Sequence, residues 1–248
     1  MLPPKSTTDW TDPTGFHTLE IISRATAFNR WMYEQIKPYL QGSVLEIGSG
    51  IGNISHFLVD AGYTISLSDY DPAYRDWLTA RYKDDPNVQE VLSIDLEHPY
   101  FHSTYARLQG AYDTVFLLNV IEHIRDDQKA IAYCASLLKP GGRLIVLAPA
   151  IPALYSGLDK ELGHHRRYTR ATLTRLLGQE GLRIVYRQYF NVLGLAGWFC
   201  FGKIAGRKQL TGSAFNLFNT LVPLARALDG LFGRLGGLSV IAVAEKKI

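Results

Sequence analysis

Five short runs dominated by aliphatic and β-branched residues, SVLEIG, YTISLSD, VQEVLSID, YDTVFLLN and GRLIVLAP, follow one another along the first 150 residues. Runs that are apolar without strict alternation suit strands buried on both faces of a parallel sheet. Between them, NISHFLVDAG, DPAYRDWLTARYKDD and DDQKAIAYCASLLKPGG carry helical spacing, and the last stops at a Pro-Gly-Gly. Two further runs, LRIVYRQYF and LSVIAVAEK, bring the strand count to seven. The pattern is an α/β, doubly wound domain over residues 42–248. Hydrophobic residues make up 47% of the chain, enough for a sizeable core. Residues 1–41 read as a polar, proline-bearing arm followed by one or two helices. The stretch 191–237, rich in Gly, Phe and Leu, reads as a helical insertion before the last strand.

The first strand enters the turn VLEIGSGIGN at residues 44–53. Glycines there let backbone approach a ligand with no Cβ in the way. The dinucleotide fingerprint G-x-G-x-x-G would place a third glycine at Asn53, but the sequence places it one residue earlier, at Gly52. Glu46 also precedes the turn by two residues. A carboxylate there repels a diphosphate and attracts a ligand carrying an ammonium group.

The E-x-G-x-G-x-G turn after an apolar strand resembles the first motif of class I S-adenosylmethionine-dependent methyltransferases. The resemblance extends over about residues 31–189, and the strand near 238–245 fits it too. It implies a Rossmann-like seven-stranded sheet with the last strand antiparallel. It also implies S-adenosyl-L-methionine as cofactor, with S-adenosyl-L-homocysteine as product. Glu46, Gly48, Ser49, Gly50, Gly52 and Asn53 would form the cofactor turn. Asp69, with Tyr70 beside it, closes the second strand where a carboxylate can accept ribose hydroxyls. Asp95 and Leu96 follow the third strand, at the adenine. Asn119 and Val120 end the fourth, in YDTVFLLNVIEHIRDD, which is similar to the family's fourth motif; LLKPGGRLIVLAP is similar to the loop and strand of its fifth. Each acid alone could be a helix cap, the commoner role at such turns.

A sulfonium methyl is already electrophilic, so the chemistry needs an acceptor held in line and, for a hydroxyl, a base. His123 and His164 are the base candidates. The block LDKELGHHRRYTRATL around His164 resembles a segment of a bacterial subgroup of these enzymes that acts on small molecules. Arg166, Arg167 and Tyr168 are expected on the acceptor side, and Trp31 from the N-terminal helices with them. The plainer reading of that block is a basic loop before a helix capped by Thr169. Glu122, His123 and Asp126 or Asp127 have a spacing that some catechol-type and quinone-precursor methyltransferases use for a divalent cation. It is equally an acidic helix start, and the reading taken is no metal.

The formal net charge of +3 and the absence of an N-P-P-Y-type tetrad at the fourth strand speak against a nucleic-acid substrate. A small-molecule or lipid-linked acceptor is expected, methylated on oxygen first, with carbon or nitrogen open. The alternatives are a non-catalytic S-adenosylmethionine-binding partner protein and a nicotinamide-dependent oxidoreductase. Cys134 and Cys200 match no metal or redox spacing and read as buried thiols. The apolar stretch 192–202 falls short of the ~20 residues a spanning helix needs. A cytoplasmic protein, monomer or homodimer, is expected. Aromatic anchors and basic residues in 191–237 suit a lid, packing or dimer contacts, or peripheral contact with the inner membrane surface.

Overall fold

A computed structural model describes residues 13–199 and 212–247, and its seven strands form one sheet in which the first strand of the chain lies third and the last lies sixth. Two helices lead in, α1 (Pro13–Ser23) and α2 (Thr26–Ile36). β1 (Val44–Ile47), α3 (Ser55–Asp60), β2 (Ile65–Ser68), α4 (Pro72–Arg81) and β3 (Val88–Leu92) build the first half. α5 (Phe101–Thr104), β4 (Tyr112–Leu118), α6 (Asp127–Leu137) and β5 (Leu138–Pro149) lead across the centre. α7 (Gly157–Glu161), α8 (Arg170–Gln179), β6 (Arg183–Phe190), α9 (Val192–Trp198), α10 (Gly212–Phe232) and β7 (Ser239–Glu245) complete it. Strands β1 to β5 pair in parallel, while β7 runs antiparallel to both β5 and β6. The seven expected strands are therefore present, the last one reversed.

The alternation within each strand divides the core into two layers. Leu45, Val115, Leu117, Leu144 and Val146 face α6 and α8, while Val44, Phe116, Ile145 and Leu147 face α2, α3 and α10. Phe116 and Leu117 are both fully buried, each worth roughly 1.5–3 kcal/mol of transfer free energy. Trp31 belongs to the second layer. Only 3% of it is exposed, and its indole lies 4.4 Å from the Phe190 ring. The ring expected on the acceptor side packs in the core.

Local sequence sets the helix starts. Asp71 caps α4, its carboxylate accepting the Ala73 amide at 2.8 Å, with Pro72 in the first turn. Asp126 caps α6 and Thr169 caps α8. In the late segment, the buried face of α10 holds α9 in place: Asp229 accepts the Asn191 and Val192 amides at 2.7 Å each. Its other face leaves Leu217, Leu221, Leu224 and Leu231 exposed. Cys134 is a buried free thiol; Cys200 and the basic positions Lys203, Arg207 and Lys208 lie outside the described residues. Among the described residues, no helix is long and apolar enough to cross a membrane.

Candidate active site

Every non-glycine residue with positive φ among the described residues stands just beyond a strand's carboxyl end: Asn119 after β4, Ile151 after β5 and Asn191 after β6. Asparagine tolerates that region, whereas a β-branched isoleucine there is strained. Strain of this kind persists only where surrounding structure holds it. The edge of the sheet carrying these ends is where the site candidates collect.

At β1 the glycine turn is held by backbone. The Gly48 and Ser49 amides both donate to the Ser68 carbonyl of β2, at 2.9 and 2.8 Å. Gly48 has φ +74°, and a Cβ there would lie 2.5 Å from a Val120 methyl. Alanine is thus excluded twice, by conformation and by the close approach of the β4 loop. Asp69 reaches back to the same turn: one carboxylate oxygen accepts the Gly50 amide at 2.9 Å and the other the Asp71 amide at 3.0 Å. Glu46, 4% exposed, accepts the Ser55 hydroxyl at 2.5 Å. Burial, with Asp69 adding a smaller share, pushes the Glu46 carboxyl up to about 7, and burial raises Asp69 as well. Two acids desolvated side by side favour a cation between them. Gly50 and Asn53 meet α1: a Cβ on Gly50 would lie 2.8 Å from Leu19, and the Asn53 amide donates to the Leu19 carbonyl at 2.9 Å. Helix α1 therefore lies over the turn.

Other expected cofactor positions spread along the same edge. Tyr70 is 69% exposed. Asp95 lies three residues past β3, and its carboxylate accepts the Glu97 amide at 2.8 Å. Leu96 is buried in the first core layer with Ile94 and Phe101. Asn119 is exposed, its amide donating to the Leu147 carbonyl at 2.8 Å.

The loops after β4 and β5 converge beside this turn. The His123 and His164 rings meet edge to face, centroids 4.8 Å apart. His123 opens to the surface, while only 8% of the His164 side chain is exposed. His164 Nδ1 lies 3.0 Å from Asp159, a buried carboxylate that also accepts from Arg167 Nε at 2.7 Å. Burial alone would raise Asp159, but those two bonds, the Arg167 charge and the Ser156 amide together hold the carboxyl below its ordinary range. Beneath the histidines Glu122 is fully buried, with no hydrogen bond to either carboxylate oxygen. Desolvation pushes it up to about 8. Desolvation first and His164 second push His123 down to about 4.

The residues after His164 sew this loop to β5. Arg167 donates to the Ala150 carbonyl at 3.0 Å and sits 4.4 Å from the Trp198 ring. The Tyr168 amide donates to Pro149, and its carbonyl accepts from the strained Ile151 at 2.9 Å. The Tyr168 hydroxyl donates to Asp127 at 2.8 Å, and Arg166 pairs with the same carboxylate at 2.7 Å. Arg166, Arg167 and Tyr168 are the three residues expected on the acceptor side. Each is engaged by a protein carboxylate or carbonyl, and together they fasten one loop to another. Asp159 escaped the sequence reading; its only local signal is the Ser156-x-x-Asp159 capping box of α7.

A profile of the family described as "Methyltransferase domain" matches residues 23–187. A ubiquinone biosynthesis O-methyltransferase of Xanthomonas euvesicatoria is 29% identical over 157 residues, covering 54% of this chain and 62% of that one. The chain thus spans somewhat under two thirds of the length of the curated relatives it matches first. Among solved structures, a SAM dependent methyltransferase from Archaeoglobus fulgidus superposes with TM-score 0.58 at 15% identity, covering 88% of this chain and 94% of that one. Phosphoethanolamine N-methyltransferase 2 of Haemonchus contortus, solved with S-adenosyl-L-methionine, gives 0.61 at 16% identity over 100% of this chain and 61% of that one. At such identities these two likenesses carry the fold alone. The profile match extends over more than half of the chain, from α1 to β6, so the protein belongs to the methyltransferase-domain family and has the fold of its class I S-adenosylmethionine-dependent members.

Proposed function

We propose that this chain transfers the methyl group of S-adenosyl-L-methionine to an oxygen of a small-molecule or lipid-linked acceptor. The observation that carries the reading is the pair of desolvated acids, Glu46 and Asp69, set against a glycine turn built from backbone. A donor with an ammonium group and ribose hydroxyls satisfies both acids, and a diphosphate satisfies neither. In this reading Gly48, Ser49, Gly50 and Gly52 cradle the donor, with Asp95 and Leu96 toward the adenine and Asn119 and Val120 beside the glycine turn. Asn53 carries α1 across the turn and shields the donor from water, which favours transfer.

The acceptor approaches over the loops after β4 and β5. His123 stands at the surface of that cleft as a neutral ring able to take a proton, and His164 is aligned behind it by Asp159. A ubiquinone-pathway relative that methylates oxygen supports the choice of accepting atom. Titration with donor and product, then a radiolabelled-methyl assay on host extract, tests the proposal. Tight donor binding without transfer to any acceptor would leave a cofactor-binding partner protein instead. NAD(H) binding without donor binding would restore the oxidoreductase reading.

The exposed leucines of α10 favour a second reading for the late segment, peripheral contact with a membrane surface on the cytoplasmic side. Co-sedimentation with anionic and with neutral liposomes tests it; recovery in the supernatant with both removes it.

A further inference from the structure

The acid-rich spacing 122–127 suggests a cation site built from Glu122, His123 and Asp126 or Asp127, but the fold spends both aspartates elsewhere. Asp126 caps α6, accepting the Lys129 amide at 3.0 Å, and Asp127 takes Tyr168 and Arg166. In their place the β5 loop delivers His164. One donor atom each from Glu122, His123 and His164 lies within 4.8 Å of the other two, and Glu122 Oε1 stands 3.9 Å from His164 Nε2.

We propose that Glu122, His123 and His164 form a binding site for one divalent transition-metal cation. The independent sign is Glu122: it has no exposure to solvent and both carboxylate oxygens lack a hydrogen-bond partner. A buried carboxylate in that state needs a positive partner or several donors. Arg167, the guanidinium whose charge reaches Glu122, spends its Nε on Asp159 and another nitrogen on Ala150. Two imidazoles and a carboxylate are a donor set that zinc accepts with one position left open.

The outer shell is in place as well. Asp159 holds His164 through Nδ1, which leaves Nε2 as the ligating nitrogen facing Glu122. A carboxylate behind a ligating histidine fixes its tautomer and orientation. Metal–ligand distances of about 2.0–2.2 Å require the three donors to close by about an ångström, within reach of side-chain rotation. The open position faces the surface at His123, so an oxygen of the acceptor would complete the shell. That last role rests on the methyl-transfer proposal, in which a bound cation would replace His123 as the group that activates the accepting hydroxyl; cation binding itself does not rest on it.

The test uses untagged full-length protein stripped with chelator, then titrated with Zn2+ alone against a competing chromophoric chelator. One equivalent is expected to bind. Asp159→Asn should weaken it about 10–100-fold, and Glu122→Gln and His164→Ala by more than that. The exposed His102→Ala should bind as the parent does. Co2+ added to the unmodified protein should give visible ligand-field bands that Zn2+ bleaches, which keeps the test decisive where a variant fails to fold. Well under one equivalent, equal affinity in Glu122→Gln and His164→Ala, or no Co2+ bands would each overturn the proposal. None of these readouts involves methyl transfer, so an inactive protein that binds Zn2+ counts against the activity and not against the site.

Discussion

The glycine turn after β1 and the histidine cluster between the β4 and β5 loops share one edge of the sheet, yet they are made differently. The turn is backbone: amides of Gly48, Ser49 and Gly50 bond to Ser68 and Asp69 across one strand gap. The cluster is side chain: Glu122 and His123 meet Asp159, His164 and Arg167 from some forty residues away. Backbone geometry is written locally, in glycines and in their spacing. Side-chain assembly depends on which loops the fold brings together. One region is therefore tolerant of its neighbours' chemistry and intolerant of a Cβ, and the other is the reverse.

The largest effect expected from breaking that contrast is in the cluster. Arg167→Met leaves buried Asp159 with His164 and the Ser156 cap but no fixed positive charge, and loss of one partner of a buried pair costs about 3–5 kcal/mol. Urea unfolding should show it, with Asp159→Leu in the same chain recovering part. Next comes Gly48→Ala, where positive φ and the Val120 contact together cost about 1–3 kcal/mol. Calorimetric titration should show donor binding lost there, whereas Arg167→Met, judged at a temperature where it is folded, keeps it.

A pH series separates the two regions further. Glu46 is raised to about 7, so its protonated form is the one favoured by the folded, ligand-free protein. Its contribution to stability is fully present below the ordinary glutamate range and is lost as pH rises toward 7. Donor affinity has the opposite sign, because an ammonium group prefers the ionised carboxylate. It should climb about tenfold per pH unit up to about 7 and then level, and Glu46→Gln should flatten the climb. A profile unchanged by Glu46→Gln would separate Glu46 from the donor. The smallest effect is expected at Asp126→Ala, about 1 kcal/mol for a lost helix cap. Donor affinity and Zn2+ affinity should both be unmoved, which marks Asp126 as part of α6 and not of the cluster.

The same contrast explains what could be read before folding. The strands announce themselves through contiguous apolar runs, and the turn through Gly48, Gly50 and the early third glycine, Gly52. Asp69 was visible from its position at the end of β2. The pairing of Asp159 with His164 and Arg167 was not, because Asp159 looks locally like the third residue of a short helix and its partners act from the following loop. The packing of Trp31 was hidden for a related reason: an aromatic on an amphipathic helix carries no local mark of its partner, and Phe190 reaches it from β6. Arg166 and Tyr168 carry the chemistry of anion recognition, and only the position of Asp127 shows that the anion is the protein's own.

The sheet order carries a consequence for biosynthesis. Among the described residues β6 pairs with no strand except β7, which is translated some fifty residues later and stands between it and β5. While the ribosome is still working through α9 and α10, β5 has a bare flank and β6 has no strand to pair with. The half of the molecule carrying the glycine turn can assemble on the emerging chain, whereas the half bearing the β6 ladder must wait. Nascent-chain release points placed before and after residue 245 should therefore differ in protease resistance at β6 and agree at β1.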